Sequence, residues 1–244
     1  MSPRNVLLPR RATTRSLIGS VVGLALLLAA CASTGATPPA VSSPTPVDPI
    51  PLFAYYYIWF DVTSWDRAKT DYPLLGRYSS DDPEVMRQHI QRAKAAGIDG
   101  FIVSWKSTDT LNHRLSQLIE ISEAENFKLA IIYQGLDFER EPLPVTRVAD
   151  DLDYFMAAFA GRPAFDSFEK PLVIWSGTWR FSEAEIAGVT EGRRDHLLIL
   201  ASERNLNGYQ RLDHLVDGNA YYWSSVNPDT YPGYVEKLTT MSQA

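Results

Sequence analysis

Short apolar runs alternate along this chain with longer segments in which apolar residues recur every three or four positions. The runs are rich in β-branched and aromatic residues, which is typical of strands, whereas the longer segments have the period of amphipathic helices. The predicted strands cover residues 52–60, 100–103, 128–133, 170–175, 196–201 and 218–223. The predicted helices cover residues 83–96, 111–126, 147–159, 182–187 and 209–215, and residues 231–241 begin another. From residue 52 onward the chain is predicted to repeat a strand-and-helix unit.

The helix and strand around Gly97 have the clearest predicted boundaries. Asp82 suits the N-cap and Pro83 the first helical position, because proline lacks the backbone donor that this position leaves unused. Gly97 suits a left-handed helix C-terminus. The run 100–103 after it is as apolar as a strand buried on both faces of a parallel sheet.

Alternating strands and helices predict an α/β fold with parallel strands, either closed as a (β/α)8 TIM barrel or open as a doubly wound sheet. A doubly wound nucleotide-binding sheet usually carries a glycine-rich turn after its first strand, and this chain has none there. The barrel is therefore favoured. A complete barrel needs eight units and about 250 residues, so we expect about six of the eight units to be present here, with the barrel incomplete.

The N-terminal segment resembles a bacterial lipoprotein signal peptide at residues 1–30. A basic region precedes an apolar run too short to span a membrane comfortably, and the run ends Leu28-Ala29-Ala30-Cys31. Cys31 is the only cysteine of the chain and stands where such signals place the lipid attachment site. An ordinary secretory signal that happens to contain a cysteine is the alternative.

The first 51 residues thus predict an exported protein with a membrane anchor. Residues 31–51 are rich in proline, serine and threonine, which indicates an extended tether that cannot fold by itself. The folded domain is predicted at 52–244. We expect a location in the bacterial cell envelope, with the protein lipid-anchored at the outer face of the membrane.

The formal charge of −6 argues against nucleic acid as a partner, and membrane contact is expected only through the anchor. The four histidines are scattered without the spacing of a metal site. No cofactor and no metal are therefore expected.

The ends of the predicted strands concentrate aromatic and polar residues, which a barrel would bring together on one face. Aromatic rings stack on the C–H faces of a pyranose, and polar groups bind its hydroxyls, so these residues predict a sugar cleft. The alternative is that the aromatic side chains fill the core or pack the loops. The candidate substrate-binding residues are Tyr57, Trp59, Asp61, Trp105, Lys106, Gln134, Asp137, Trp175, Tyr222 and Trp223.

Hydrolysis of a glycosidic bond needs two carboxyl groups on either side of it. Asp61, Asp137 and Glu203 are the carboxylates at predicted strand ends, and Glu203 is the best single catalytic candidate because it directly follows an apolar run. The alternative is that these three residues cap loops or accept hydrogen bonds from a sugar.

Three segments resemble glycoside hydrolase family 99 and the related family 71. The sequence GRYSSDDPEVMRQHIQRAKAAGIDGFIVSW at 76–105 is similar to the family segment in which YSS-D-P opens a helix and an apolar strand ends in SW. YYYIWF at 55–60 is similar to the family's first strand, and RPAFDSFEKPLVIW at 162–175 to a later one. The resemblance covers about residues 52–225.

The resemblance implies a barrel enzyme acting on α-linked glycans: endo-α-mannosidase or endo-α-mannanase in family 99, and α-1,3-glucanase in family 71. Family 99 enzymes retain the anomeric configuration and are thought to use the 2-hydroxyl of the substrate as nucleophile. Carried over by position, Tyr57, Trp59 and Trp105 would line the sugar subsite, and Tyr222 would lie near the reacting ring.

Two departures from the family leave the activity open. Gln134 stands where the family has a sugar-binding glutamate, and the late W-N-E-W-type segment with the catalytic glutamates is absent, so we expect the 244-residue chain to be inactive. Three interpretations remain: a surface-anchored retaining endo-glycosidase on α-linked mannan or glucan, a non-catalytic lipoprotein that binds α-linked oligosaccharide or polysaccharide, and an envelope lipoprotein with a packed barrel.

Overall fold

A computed structural model describes residues 50–67, 71–221 and 233–243 of the chain. Strands and helices alternate along it. The strands are β1 (Phe53–Tyr57), β2 (Gly100–Trp105), β3 (Lys128–Gln134), β4 (Leu172–Ser176), β5 (Leu198–Ala201) and β6 (Gly218–Asn219). The helices are α1 (Pro83–Ala95), α2 (Asp109–Ala124), α3 (Val145–Ala158), α4 (Glu183–Thr190), α5 (Leu206–Gln210) and α6 (Tyr234–Ser242).

All six strands form one parallel sheet in the order β1-β2-β3-β4-β5-β6. A doubly wound sheet reverses its strand order at a switch point, whereas a (β/α)8 barrel adds each new strand beside the previous one. The uninterrupted order is the barrel order. The α/β fold class of the TIM-barrel type, with six strand units, is confirmed.

Local sequence signals set the ends of α1 as predicted. The Asp82 side chain accepts a hydrogen bond from the amide of Glu84, and Pro83 takes the first helical position. Gly97, just past the helix, has a φ of 78°, which only glycine adopts without strain. These two caps end α1 shortly before β2. Within β2, side chains alternate between the two faces of the sheet from Gly100 onward.

The two faces of the sheet have different surroundings. One face, which carries Val103 and Ile131, packs on the helices and is fully buried together with Leu115, Leu118 and Phe155. The other face carries Tyr55, which is 37% exposed, and the half-buried Ile102 and Leu200. We call this second face the inner face, because in a barrel it lines the interior.

The first and last predicted strands differ most from the strands of the described residues. The first ends at Tyr57 rather than residue 60, because the backbone carbonyl of Ile58 is bound by an arginine side chain and a 3-10 helix begins at Val62. The last is described only for Gly218–Asn219. No helix of the described residues is both long and apolar enough to cross a membrane.

Several predicted features lie outside the described residues. They are the signal peptide at 1–30, the lipid attachment site Cys31, the tether up to residue 49, and the candidate sugar-binding residues Tyr222 and Trp223.

Gly100→Ala tests the close packing between β1, β2 and β3. A Cβ at Gly100 would lie 2.7 Å from the backbone oxygen of Lys128 and 2.4 Å from a ring carbon of Phe53. We expect a loss of about 1–3 kcal/mol in the free energy of unfolding, measured by urea denaturation.

Gly188→Ala is the matched control for this substitution. Gly188 lies within α4, and a Cβ there would have no neighbour within 4 Å. Since alanine is the better helix former, we expect this variant to gain about 0.5–1 kcal/mol. Equal stability of the two variants would contradict the assigned packing.

Candidate functional site

Trp105 and Trp175 point toward the helices rather than toward the inner face. The indole Nε1 of Trp105 donates to Asn112 Oδ1 on α2 at 3.0 Å, and its ring lies 5.7 Å from Phe155 on α3. Trp175 packs 4.9 Å from Phe181. Both tryptophans have no exposed surface. Strand alternation turns them into the core, which favours the alternative that aromatic side chains of the strand ends fill the core; their place in a sugar subsite stays a prediction.

The same alternation places a polar row on the inner face at the carboxyl ends of the strands. Tyr57 pairs in register with Ser104, and Gln134 with Ser176. Gln134 Nε2 donates to Ser104 Oγ at 3.2 Å, across β2 and β3. We call Tyr57, Ser104, Gln134 and Ser176 the polar row. Active sites of barrels lie at this end of the strands.

Trp59 stands beside the polar row and is 44% exposed. Its ring meets the Tyr57 ring edge-on at 5.7 Å and stacks on Phe60 at 4.2 Å. An exposed indole held on two sides by other rings is a rigid, flat surface for a ligand. Packing thus leaves part of the Trp59 ring accessible at the carboxyl ends of the strands, and Trp59 stays a candidate sugar-stacking residue.

Further aromatic rings extend this surface into the loop between β1 and α1. Trp65 stacks on Phe60 at 4.7 Å and contacts Tyr78 at 5.0 Å, and its Nε1 donates to the Tyr78 carbonyl at 2.8 Å. Tyr72, which is 53% exposed, donates its hydroxyl to the Trp65 carbonyl. The described part of the loop is therefore shaped by its own aromatic contacts.

A buried arginine on α2 holds the backbone just after β1. Arg114 on α2 binds both carboxylate oxygens of Asp81, at 2.6 and 2.7 Å, and donates to the Ile58 carbonyl at 3.0 Å. The hydrogen bonds from Arg114 lower the pKa of Asp81 to about 2. We call this the Arg114 anchor. The sequence analysis missed it, since nothing in the spacing of these residues pairs them.

A second buried charge holds the loop after β2. Asp151 on α3 accepts hydrogen bonds from the Tyr133 hydroxyl at 3.0 Å and from the Ser107 amide at 3.3 Å, and pairs with Arg147 at 2.7 Å. Arg147 also donates to the Ser107 carbonyl. Burial, and then the charge of Asp151, raise the pKa of the Tyr133 hydroxyl, so it stays a hydrogen-bond donor.

Asp61 and Asp137 have local structural roles. Asp61 is the N-cap of the 3-10 helix Val62–Asp66 and accepts from the Thr63 hydroxyl at 2.6 Å and from the Ser64 amide at 2.8 Å. The hydrogen bond from Thr63 is the largest cause of its lowered pKa. Asp137 accepts from the Glu141 amide at 2.8 Å and closes a turn. Both fit the alternative that strand-end carboxylates cap loops.

Glu203, the candidate catalytic residue, faces α5 rather than the inner face. It is 4% exposed, and its carboxylate accepts from Arg211 at 3.2 Å. A Cβ at Gly208 would lie only 2.5 Å from Glu203 Oε2, so α5 packs directly on this carboxylate. A carboxylate packed under a helix in this way does not favour a catalytic role, and the catalytic Glu203 stays a prediction.

Lys106 follows β2 and rests on an aromatic ring of the next loop. Its Nζ lies 5.2 Å from the ring centroid of Phe138, which is 94% exposed. No ion pair joins Lys106 to a carboxylate of the described residues. The sequence analysis did not single out Phe138, although an aromatic residue in a polar turn is a usable signal.

The order of the strands defines an α/β protein of the (β/α)8 barrel type. Residues 53–186 match the model of the family described as glycosyl hydrolase family 99. This match spans more than half of the chain, and the chain belongs to glycosyl hydrolase family 99. The predicted resemblance to this family is confirmed.

Curated relatives are similar in sequence to this chain, and solved structures share its fold. A glycoprotein endo-alpha-1,2-mannosidase-like protein of Mus musculus is 29% identical, with 56% of this chain and 40% of that protein aligned. The corresponding Homo sapiens protein is 48% identical over 40 residues, which are 16% of this chain and 9% of that protein. The GH99 endo-alpha-mannosidase of Bacteroides thetaiotaomicron, in complex with bis-tris propane, superposes with a TM-score of 0.66 at 20% identity. A second structure of that enzyme gives 0.65 at 19%.

The chain spans less than the full length of these relatives. The superpositions cover 79% of this chain and 64% or 66% of the two solved chains. At this sequence identity the solved structures establish the shared fold of the chain.

The Arg114 anchor predicts a specific pH dependence of stability. The folded-state pKa of Asp81 is lowered to about 2, below its usual value of about 3.9. The stabilisation is therefore fully present above about pH 4 and is lost as the pH falls toward 2. Because Asp81 is half exposed, we expect Asp81→Asn to cost about 1 kcal/mol at pH 6, and progressively less as the pH falls from 4 to 2, in urea denaturation.

Asp82→Asn is the matched control. Asparagine is an equally good N-cap, so this neighbouring substitution is expected to leave the stability nearly unchanged. A cost of Asp81→Asn that stays constant from pH 6 to pH 2 would contradict the anchor.

Proposed function

We propose that the protein is a retaining, endo-acting glycoside hydrolase of α-linked glycans, with mannan or glucan as substrate. The observation that carries the proposal is the exposed Trp59 beside the polar row, on a chain of family 99. A flat aromatic surface next to amide and hydroxyl groups suits one face and the edge hydroxyls of a pyranose. The relatives named as endo-mannosidases support the α-linked substrate.

In this proposal the described residues bind and orient the glycan. Trp59 and Tyr57 stack on the C–H face of one sugar ring. Gln134 and Ser104 hydrogen-bond to the hydroxyls of that ring. Following the resemblance to the family, the proposed nucleophile is the sugar's own 2-hydroxyl, assisted by carboxylates. Asp61, Asp137 and Glu203 are each engaged elsewhere, so we assign none of them this catalytic role.

A non-catalytic glycan-binding protein is the second candidate. It is favoured by Gln134, a neutral amide where the family resemblance implies a sugar-binding glutamate, and by the engagement of the three strand-end carboxylates. An amide still binds a hydroxyl, but it carries no charge to stabilise a cationic transition state.

We also propose that the protein is exported and anchored through a lipid on Cys31, at the outer face of a bacterial membrane. The support is the sequence Leu28-Ala29-Ala30-Cys31 after an apolar run, followed by a proline-rich tether. Such a tether would hold a glycan-binding domain away from the membrane surface.

Hydrolysis by the protein expressed from its native gene tests the main proposal. We expect it to release reducing ends from α-mannan or α-glucan, with retained anomeric configuration in proton NMR. Trp59→Ala removes the stacking surface and is expected to raise KM about tenfold. Tyr154→Ala is the control, since Tyr154 is 43% exposed but lies on α3, on the outer side of the sheet, and should leave KM unchanged.

The outcomes separate the two candidates. Binding of α-linked oligosaccharides without release of reducing ends would establish the non-catalytic candidate. The absence of both binding and hydrolysis would refute the glycan function altogether.

The lipid anchor has its own test in a bacterial host. Cells grown with labelled palmitate should incorporate the label into the wild-type protein and not into Cys31→Ser, because the serine cannot form the thioether. The Cys31→Ser protein should then remain in the soluble fraction or keep its signal peptide. Equal labelling of both proteins would show that the lipid is not on Cys31.

A further inference from the structure

His89 on α1 lies in an aromatic pocket between this helix and β1. Of the four histidines of the chain, all of which are among the described residues, it is the only one that is not exposed. The Tyr56 hydroxyl on β1 lies 3.0 Å from His89 Nδ1. The ring of Tyr78, in the loop before α1, meets the imidazole edge-on with the ring centroids 5.2 Å apart. His89 therefore joins the first strand to the loop that carries the aromatic surface.

Ring contacts connect His89 with Trp59 at the candidate sugar site. Tyr78 contacts both His89 and Trp65, with a centroid distance of 5.0 Å to Trp65. Trp65 stacks on Phe60 at 4.7 Å, and Phe60 stacks on Trp59 at 4.2 Å. We call the run His89, Tyr78, Trp65, Phe60 and Trp59 the aromatic ladder. Each ring in it touches the next, and such contiguous packing is able to couple the imidazole to the exposed indole.

The groups around His89 favour its neutral form. Burial, and then the charge of Arg92 on the next turn of α1, lower the pKa of His89. Burial also raises the pKa of the Tyr56 and Tyr78 hydroxyls, so both stay uncharged. No carboxylate of the residues that the structure describes forms an ion pair with His89. The imidazole therefore has two neutral phenols and one cation around it, a setting that disfavours a second positive charge.

Protonation changes what His89 offers to Tyr56. The Tyr56 hydroxyl keeps its proton and donates it to Nδ1 of the neutral imidazole. In the imidazolium both ring nitrogens are donors, so this acceptor is lost. The charged ring also repels Arg92, and it costs more to bury than the neutral ring. We therefore expect the imidazolium to turn toward solvent, which removes the ring that Tyr78 packs against.

We propose that His89 is a positioning residue of the candidate sugar site and that its protonation weakens glycan binding. The inference rests on the proposed glycan function of Trp59. Neutral His89 holds Tyr78, and the aromatic ladder then keeps the Trp59 indole against Phe60. When His89 is protonated, the ladder loses its support on α1, and the indole is no longer fixed for stacking on a sugar.

Calorimetric titration with α-linked manno- and gluco-oligosaccharides between pH 5 and pH 8 tests this inference. We expect the protein expressed from its native gene to bind at least one probe about fivefold more weakly at pH 5 than at pH 8, at the lower end of the usual coupling between two sites. His89→Gln stays neutral throughout and should bind with the same affinity at every pH. His214→Gln, the matched control, removes an exposed histidine beyond α5 and should keep the pH dependence.

Arg92→Gln separates an effect of charge from an effect of packing. Arg92 is exposed, and its charge lowers the pKa of His89. Without this charge, we expect the midpoint of the affinity change to move to higher pH, while the affinity at pH 8 stays the same. A residue that only filled space would not respond to a charge on the neighbouring turn, so an unchanged midpoint would contradict the titration of His89.

Urea denaturation over the same pH range needs no ligand and verifies that each variant is folded. The folded-state pKa of His89 lies below its usual value of about 6.5. Its contribution to stability is therefore fully present above about pH 6.5 and is lost as the pH falls through the lowered pKa. His89→Gln should remove this loss, and His214→Gln should not.

The outcomes distinguish this inference from the glycan function itself. Binding with equal affinity at pH 5 and pH 8, or a pH dependence that survives His89→Gln, refutes the role of His89 and leaves the sugar cleft standing. A pH-dependent stability that His89→Gln removes, together with a constant affinity, shows that His89 stabilises the fold without positioning the site. Failure of every probe to bind refutes both proposals.

Discussion

The geometry of the candidate site depends on one buried guanidinium. Arg114 binds the Ile58 carbonyl just after β1 and Asp81 just before α1. A single side chain therefore joins the two ends of the loop between β1 and α1. Without it, the Ile58 carbonyl would lack this donor, and a buried polar group without a partner costs about 1–3 kcal/mol. The position of Trp59, one residue further on, follows from that bond.

Much of the fold could be predicted from the sequence because the signals are local. Helical periodicity, the N-cap at Asp82 and the left-handed Gly97 identified α1, and the apolar runs identified the strands. The strand order could be predicted from the regular alternation of strands and helices alone. The end of β1 was predicted too late, since an apolar run continues past Tyr57 and nothing local indicates that Arg114 will bind the next carbonyl.

The candidate site was less predictable because β2 and β4 carry apolar or aromatic residues on both faces. In such strands the sequence does not show which residues face the helices, so the burial of Trp105 and Trp175 in the core could not be predicted from it. Trp59 lies beyond the strand and is exposed. Asp61 is a local cap, which its neighbours Thr63 and Ser64 already suggest. The pairing of Glu203 with Arg211 could not be predicted in this way, because it depends on how α5 packs.

The clamping of the chain on either side of Lys106 has an evolutionary consequence. Trp105 is locked into the core, and Ser107 is held through both its amide and its carbonyl by Asp151 and Arg147. The residue between them projects from a fixed backbone without supporting it. Mutations at position 106 can therefore accumulate at almost no cost in folding, while the barrel beneath it stays the same.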